Sequence, residues 1–333
     1  MSITVLNPGL LTTIQDFGRS GYQKYGVIVS GAMDIYAMRL SNIVIGNEEK
    51  EAVLEITMVG PALELKKGTL FSITGADISP TINNKVVPMG RPVYLKEDCT
   101  LKFGACKTGS RSYLAVAGGF DVPIVMDSKS TYLRAELGGF KGRALKKNDN
   151  LKVGIESNIS SKIIEKLKEI KNENKFIAPS WYIKDYNVKK SEGTVIRVFE
   201  DRQFNKISED SINKFFDFEF VVDIKSDRMG YRLNGPKIKL KEKLEMISEE
   251  VSVGTIQIPP DGNPIILLAD RQTAGGYPKI AHVALVDIPK IVQLKANNKL
   301  KFKKITLEEA EKLYFEKEKY ISDIRKSIKL ITM

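Results

Sequence analysis

Three polar clusters carry the residue types that binding and catalysis require. The densest reads Gln257-Ile-Pro-Pro-Asp-Gly262 and then Ala269-Asp-Arg-Gln-Thr-Ala-Gly-Gly-Tyr-Pro-Lys279. A strand over Ile265–Ala269 would deliver Asp270, Arg271 and Gln272 into a loop closed by Gly275, Gly276 and Tyr277. Loops on a rigid sheet are where binding residues concentrate. A guanidinium, an amide and the backbone N–H groups of a double glycine can together hold a carboxylate or a developing anion. Arg271, Gln272 and Asp270 are therefore the candidate catalytic residues, and Gln257, Gly275, Gly276 and Tyr277 are candidates for binding. Pro260-Asp261-Gly262 fits a turn on structural grounds alone.

The second cluster, Thr12-Thr-Ile-Gln-Asp-Phe-Gly-Arg19, places Gln15, Asp16 and Arg19 around Gly18. It could hold a small amide or carboxylate; it also fits a plain polar loop with an internal Asp16–Arg19 pair. The third is Ser30-Gly-Ala-Met-Asp34. Ser30 and Asp34 join the binding candidates because N–H groups at a helix start can hold an anion. Asp34 fits an ordinary helix cap equally well. His282, the single histidine, lies in an alternating strand and reads as structural. There is no G-x-x-x-x-G-K-[ST] loop, G-x-G-x-x-G, G-x-S-x-G or H-E-x-x-H. No phosphate loop of a known type is therefore available for a nucleotide.

The elements that must position these clusters are mostly short strands. Candidates run over Leu54–Met58, Thr69–Thr74, Val93–Lys96, Thr100–Phe103, Ser112–Val116, Thr194–Phe199, Phe218–Ile224, Ile238–Lys241, Ile265–Ala269, Ala281–Val286 and Lys299–Phe302. They are rich in β-branched and aromatic residues and bounded by Gly, Pro, Asn and Asp, a spacing that suits a barrel or sandwich better than βαβ units. Gly118-Gly119, Gly138-Gly139 and Gly275-Gly276 mark positive φ or close backbone approach. One helix is expected from Asp34 to Gly46, a weaker one over Ser161–Lys171, and another from Thr306, where Thr306 and Glu309 form a capping box. Polar Asn172–Glu192 reads as a domain boundary. The expected organisation is an N-terminal β domain over 1–175, a C-terminal barrel over 190–305 and a helical tail over 306–333.

Composition narrows the functions. The 333 residues carry 52 Lys and Arg against 41 Asp and Glu, a net charge of +11, but acids are interleaved in each lysine-rich stretch. That describes a solvated surface; without a basic, aromatic-interleaved stripe no nucleic-acid partner is expected. No apolar run approaches membrane-spanning length, and the start lacks a basic region followed by an apolar one. A cytoplasmic protein without a membrane partner is expected. Cys99 and Cys106 cannot build a disulfide framework or a four-thiolate zinc site, and one histidine excludes a His-rich metal site. The Asn158-Ile-Ser160 sequon is then incidental.

Five ordered segments carry a family resemblance: Gly9–Arg19, Gly26–Asp34, Ser226-Asp-Arg-Met-Gly-Tyr-Arg-Leu233, Gly254–Gly262 and Asp270–Lys279. Together they resemble the allophanate hydrolase subunit 2 family, also called the biotin-dependent carboxyltransferase family. Within it they are most similar to the C-type subunits of bacterial ATP-dependent 5-oxoprolinases. The resemblance implies a mainly β fold of cyclophilin-like β-barrel domains with few short helices and a C-terminal helix. It also implies partners, a subunit-1 type (B-like) chain and a third, A-like subunit; a subunit that buries an apolar surface against its partner is expected to self-associate through it when expressed alone. The implied activity is ATP-dependent cleavage of 5-oxoproline to glutamate, with ATP bound mainly by a partner or at an interface. Alternatives in the same family are carboxyl transfer from biotin to urea or a similar amide, and non-catalytic binding of a kinase-inhibitor protein. The chain departs from the family pattern at Glu200-Asp201 and at Asp127-Ser-Lys-Ser-Thr131.

Overall fold

The computed structural model describes residues 1–184, 193–242, 244 and 246–332. The expected mainly β class is what it has, 31% strand and 22% helix. Two compact units interleave along the chain: Met1–Arg19, Asp34–Lys190 and Tyr320–Met333 form one, Ser20–Met33 and Ser191–Lys319 the other. Part of the stretch Asn172–Glu192 lies outside the described residues.

The first unit holds two six-stranded antiparallel sheets. In one, Ser2–Asn7 lies between Asn150–Lys152 and Ala62–Leu65; in the other, Thr108–Val116 lies between Leu70–Asp77 and Val53–Thr57. Alternation explains the packing. Ile3 and Val5 point into a core shared with Leu54, Ile56, Phe71, Ile73 and Leu114. Strand Leu70–Asp77 is buried on both faces because its Ser72 and Thr74 hydroxyls donate to Ser41 and Ala37 carbonyls of helix Ile35–Val44, at 2.5 and 2.6 Å. Asp34 caps that helix, accepting from Ala37 N–H at 2.9 Å. Gly46 ends it at φ +79°, where a Cβ would sit 2.6 Å from Ile159.

The second unit closes as a seven-stranded barrel. Its order is Thr194–Glu200, Lys279–Val283, Thr255–Gln257, Ile265–Leu267, Gly230–Asn234, Glu219–Val222 and Lys299–Lys304. The last strand returns to the first in parallel, Thr194 opposite Leu300. Inside, Phe215 of helix Glu209–Asp217 stacks on Phe302 at 4.5 Å between ring centroids, and Phe220 packs beside both. A two-stranded ribbon, Glu249–Glu250 with Ala274–Gly275, stands outside the barrel.

Helix Leu307–Ile331 starts with the expected box: Thr306 N–H donates to Glu309, and Glu309 N–H to the Thr306 hydroxyl. The weak helix lies slightly earlier than expected, over Asn158–Lys168, because Ser157 is its cap. Ile238–Lys241 is not a strand. Its N–H groups go singly to scattered acceptors, Ile238 to Gly262 O, Lys239 to Ser211 Oγ of helix Glu209–Asp217 and Lys241 to Lys206 O. No helix among the described residues is long and apolar enough to cross a membrane.

Candidate functional site

On the barrel unit a cleft of about 380 Å3 opens where strand Lys279–Val283 faces the ribbon. Arg271, Thr273, Lys279, His282, Asp201 and Ser252 are among its walls. Three cations border it, and they differ in what they already hold. Lys279 Nζ is buried against the Glu249 carboxylate at 2.7 Å and donates to Glu250 O at 3.2 Å. Arg202 is exposed and loosely opposite Glu249 at 3.9 Å. Arg271 has no carboxylate within ion-pair distance among the described residues; it donates only to the Val251 and Leu268 carbonyls, at 3.3 and 3.4 Å.

Burial pulls the Arg271 guanidinium below its ordinary value, with no anion to offset the lost hydration. An arginine side chain keeps its proton regardless. The result is a half-buried fixed positive charge with N–H groups left over, a receptor for an anion.

Asp270, the residue before it, faces elsewhere. Its carboxylate accepts from Arg228 Nε at 2.9 Å and Nη2 at 3.0 Å, and from the Ser30 hydroxyl at 2.8 Å. Arg228 Nη2 also donates to Gly31 O at 2.5 Å. Ser30 and Asp270, both candidates from sequence, are thus brought together in a buried tie that fixes the base of the loop. Arg228 is the residue that reasoning missed, although it stands in the Ser226–Leu233 segment.

Gln257 is buried and donates to Tyr277 O at 3.1 Å, while Tyr277 and Gln272 are exposed. Gly275 has ordinary φ but sits where a Cβ would lie 2.7 Å from Gln257 Nε2 and 2.8 Å from Gln272 Nε2. Close approach, not a left-handed turn, marks the position, and a Cβ there would press on the ends of two glutamine side chains. Gly118, Gly119, Gly138 and Gly139 do have positive φ.

His282 lies on the cleft. Its Nε2 is 3.1 Å from Ser252 Oγ, its ring tilts against Phe199 at 5.3 Å, and Nδ1 is buried without a hydrogen-bond partner among the described residues. Burial lowers the imidazole's pKa; nearby Asp201 opposes that and Arg271 adds to it.

The remaining candidates belong to the first unit. Asp16 accepts from Ser128 Oγ at 2.7 Å, Lys129 N–H at 2.5 Å and Gly18 N–H at 2.8 Å, so it pins a loop in place of the internal pair with Arg19. Arg19 is fully buried and donates to Ser130 O at 2.5 Å. Gln15 donates to Thr13 Oγ1 and Thr131 O, and its Oε1 has no partner among the described residues. Asp34 is the helix cap already described, and its N–H donates to Tyr113 Oη at 2.7 Å. Among the described residues no group of three or more His, Cys, Asp or Glu is placed to hold a metal ion.

Comparison with known proteins gives the chemistry a context. The chain is 35% identical over 326 residues to the C-type subunit of the Haemophilus influenzae 5-oxoprolinase, covering 98% of each. It is 32% identical to the corresponding 5-oxoprolinase component of Escherichia coli, covering 97% of each. Among solved structures it resembles the K. lactis urea amidolyase, with a TM-score of 0.84 and 29% identity over 97% of this chain and 20% of that one. The chain therefore spans about a fifth of that enzyme. Residues 25–304 match the model of the carboxyltransferase domain, subdomain A and B, and the chain belongs to that family.

Proposed function

We propose that this chain is the C-type subunit of a heteromeric, ATP-dependent 5-oxoprolinase, and that its barrel cleft binds the carboxylated lactam. The observation carrying this reading is Arg271, a half-buried guanidinium in a cleft, with no carboxylate of its own among the described residues. The two relatives named as 5-oxoprolinase components, matched along nearly their whole length, support the substrate class and an assembly with further subunits. Arg271 takes the substrate carboxylate. Asp270 acts through Arg228 and Ser30 to hold the loop, and Gln272 lies beside Gly275 at its edge.

We place no nucleotide in this cleft. Asp201 and Glu250 share its walls, and the sequence has no phosphate loop to neutralise a triphosphate. We assign ATP to a partner of the B-like or A-like type or to the interface with it. The test is co-expression with those two partners followed by measurement of ADP formation that depends on 5-oxoproline. A stable complex without such turnover overturns the reading.

The family match and the resemblance to a urea amidolyase favour one second reading, transfer of a carboxyl group from biotin to urea or a similar amide. It predicts avidin-sensitive incorporation of labelled bicarbonate by the assembled complex, which the first reading does not.

A further inference from the structure

The lining of the cleft offers two kinds of chemistry. Arg271 supplies a positive charge, and Ser252 with His282 forms a hydroxyl–imidazole pair in the same lining. Resting on the lactam reading above, we infer that the Ser252 hydroxyl, oriented by His282, donates a hydrogen bond to the ring carbonyl of a ligand whose carboxylate sits on Arg271.

Geometry fixes the pair. Arg271 Nε donates to Val251 O at 3.3 Å, and the very next residue presents its Oγ to His282 Nε2 at 3.1 Å. Ser252 is further held by Thr255: its backbone N–H donates to Thr255 Oγ1 at 3.2 Å, and the two hydroxyls are 3.3 Å apart. The imidazole has little freedom. Phe199 packs against it, and Gly254, at φ +91°, leaves room that a Cβ would occupy 3.2 Å from Cε1 and 3.3 Å from Nδ1.

The tautomer follows from Nδ1, which is buried with no acceptor in reach among the described residues. A buried N–H left without a partner is rarer and costlier than an unused lone pair. The proton of the neutral ring therefore belongs on Nε2, where Ser252 Oγ accepts it. That bond occupies a lone pair of the serine, and its own proton can turn from Thr255 Oγ1, 3.3 Å away, into the cleft when a carbonyl is presented there. The site then holds one cation for a carboxylate and one neutral donor for a carbonyl. Other charged groups around the ring are Asp201 from the segment after the first barrel strand and Arg271 from the loop; Arg202, Glu250 and Lys279 border the same cleft.

The single histidine makes the test clean, because a 15N-labelled full-length chain yields one imidazole signal set. Long-range 1H–15N correlation near pH 7.5 should show the neutral Nε2–H form; a proton on Nδ1 overturns the inference. Titration with 5-oxoproline should move those signals. Tetrahydrofuran-2-carboxylate has the ring and carboxylate but no ring carbonyl, and it should bind about tenfold more weakly. Ser252→Ala should erase that preference while carboxylate binding survives, and Arg271→Gln should weaken both ligands. Retention of the preference by Ser252→Ala, or binding of neither ligand to the wild type, overturns the inference. The outcomes separate it from the parent reading. Turnover of 5-oxoproline by the complex without the preference sinks the inference alone, and the preference without turnover sinks the reading alone.

Discussion

Asp270 holds Arg228 through both of its carboxylate oxygens, at 2.9 and 3.0 Å, and makes no ion pair with Arg271 beside it in the chain. One residue of the adjacent pair anchors the loop from below while the other faces the cleft. Substitutions at the two positions should separate stability from activity.

Asp270→Ala leaves Arg228 buried without the Asp270 carboxylate. Breaking a buried pair by removing one partner costs about 3–5 kcal/mol, so a clear fall in melting temperature is expected. A melting temperature within a degree or two of wild type would mean that the tie does not hold the loop.

Arg271→Ala should melt like the wild type, since the lost bonds are two long ones to carbonyls. A hydrogen bond to a charged group is worth about 1.5–3 kcal/mol, so kcat/KM of the assembled complex should fall at least about tenfold. Arg271→Lys should restore only part, because an ammonium cannot reproduce the planar fork. Equal losses of stability and activity would make Arg271 structural.

Acid should weaken the barrel through Asp287. Burial alone would raise its pKa, but the Arg197 side chain and backbone N–H, with Lys290, outweigh burial and hold it below the usual range. A carboxylate lowered in the folded state contributes stability that is complete above its unfolded value of about 3.9 and disappears as pH falls through the folded one. Denaturant midpoints should therefore drop more steeply below about pH 4 in the wild type than in Asp287→Asn.

Thr306→Ala removes the hydroxyl that accepts from Glu309 N–H. About 1 kcal/mol of stability should be lost. Thr306→Ser should retain most of it, and circular dichroism melting checks both.

The sequence made some of this readable because the signals were local. Asp34, Thr306 and Gly46 act within one helical turn, so their roles followed from residue type. Strands with long β-branched runs, such as Thr194–Glu200, were equally plain. Strand Gly230–Asn234 was missed because Gly230 opens it and Arg232 points outward; its pairing with Ile265–Leu267 creates it. Ile238–Lys241 has strand composition, but a single bridge between Leu240 and Ile207 is no ladder. At the site, residue chemistry singled out the loop Asp270–Lys279 but could not divide Asp270 from Arg271. That division depends on Arg228, 42 positions earlier in the chain. His282 was read as structural for the same reason: its partner Ser252 is 30 residues away.

The parallel seam between Thr194–Glu200 and Lys299–Lys304 sets the order in which the barrel can be completed. Its first strand waits for its last, so roughly a hundred residues must leave the ribosome before the ring has no open edge. Until then Thr194–Glu200 exposes unpaired backbone, with Ile196 and Val198 on one face, a template for intermolecular pairing. A polypeptide cut before Lys299 should therefore collect as aggregate, whereas one cut within the following helix should keep a closed barrel.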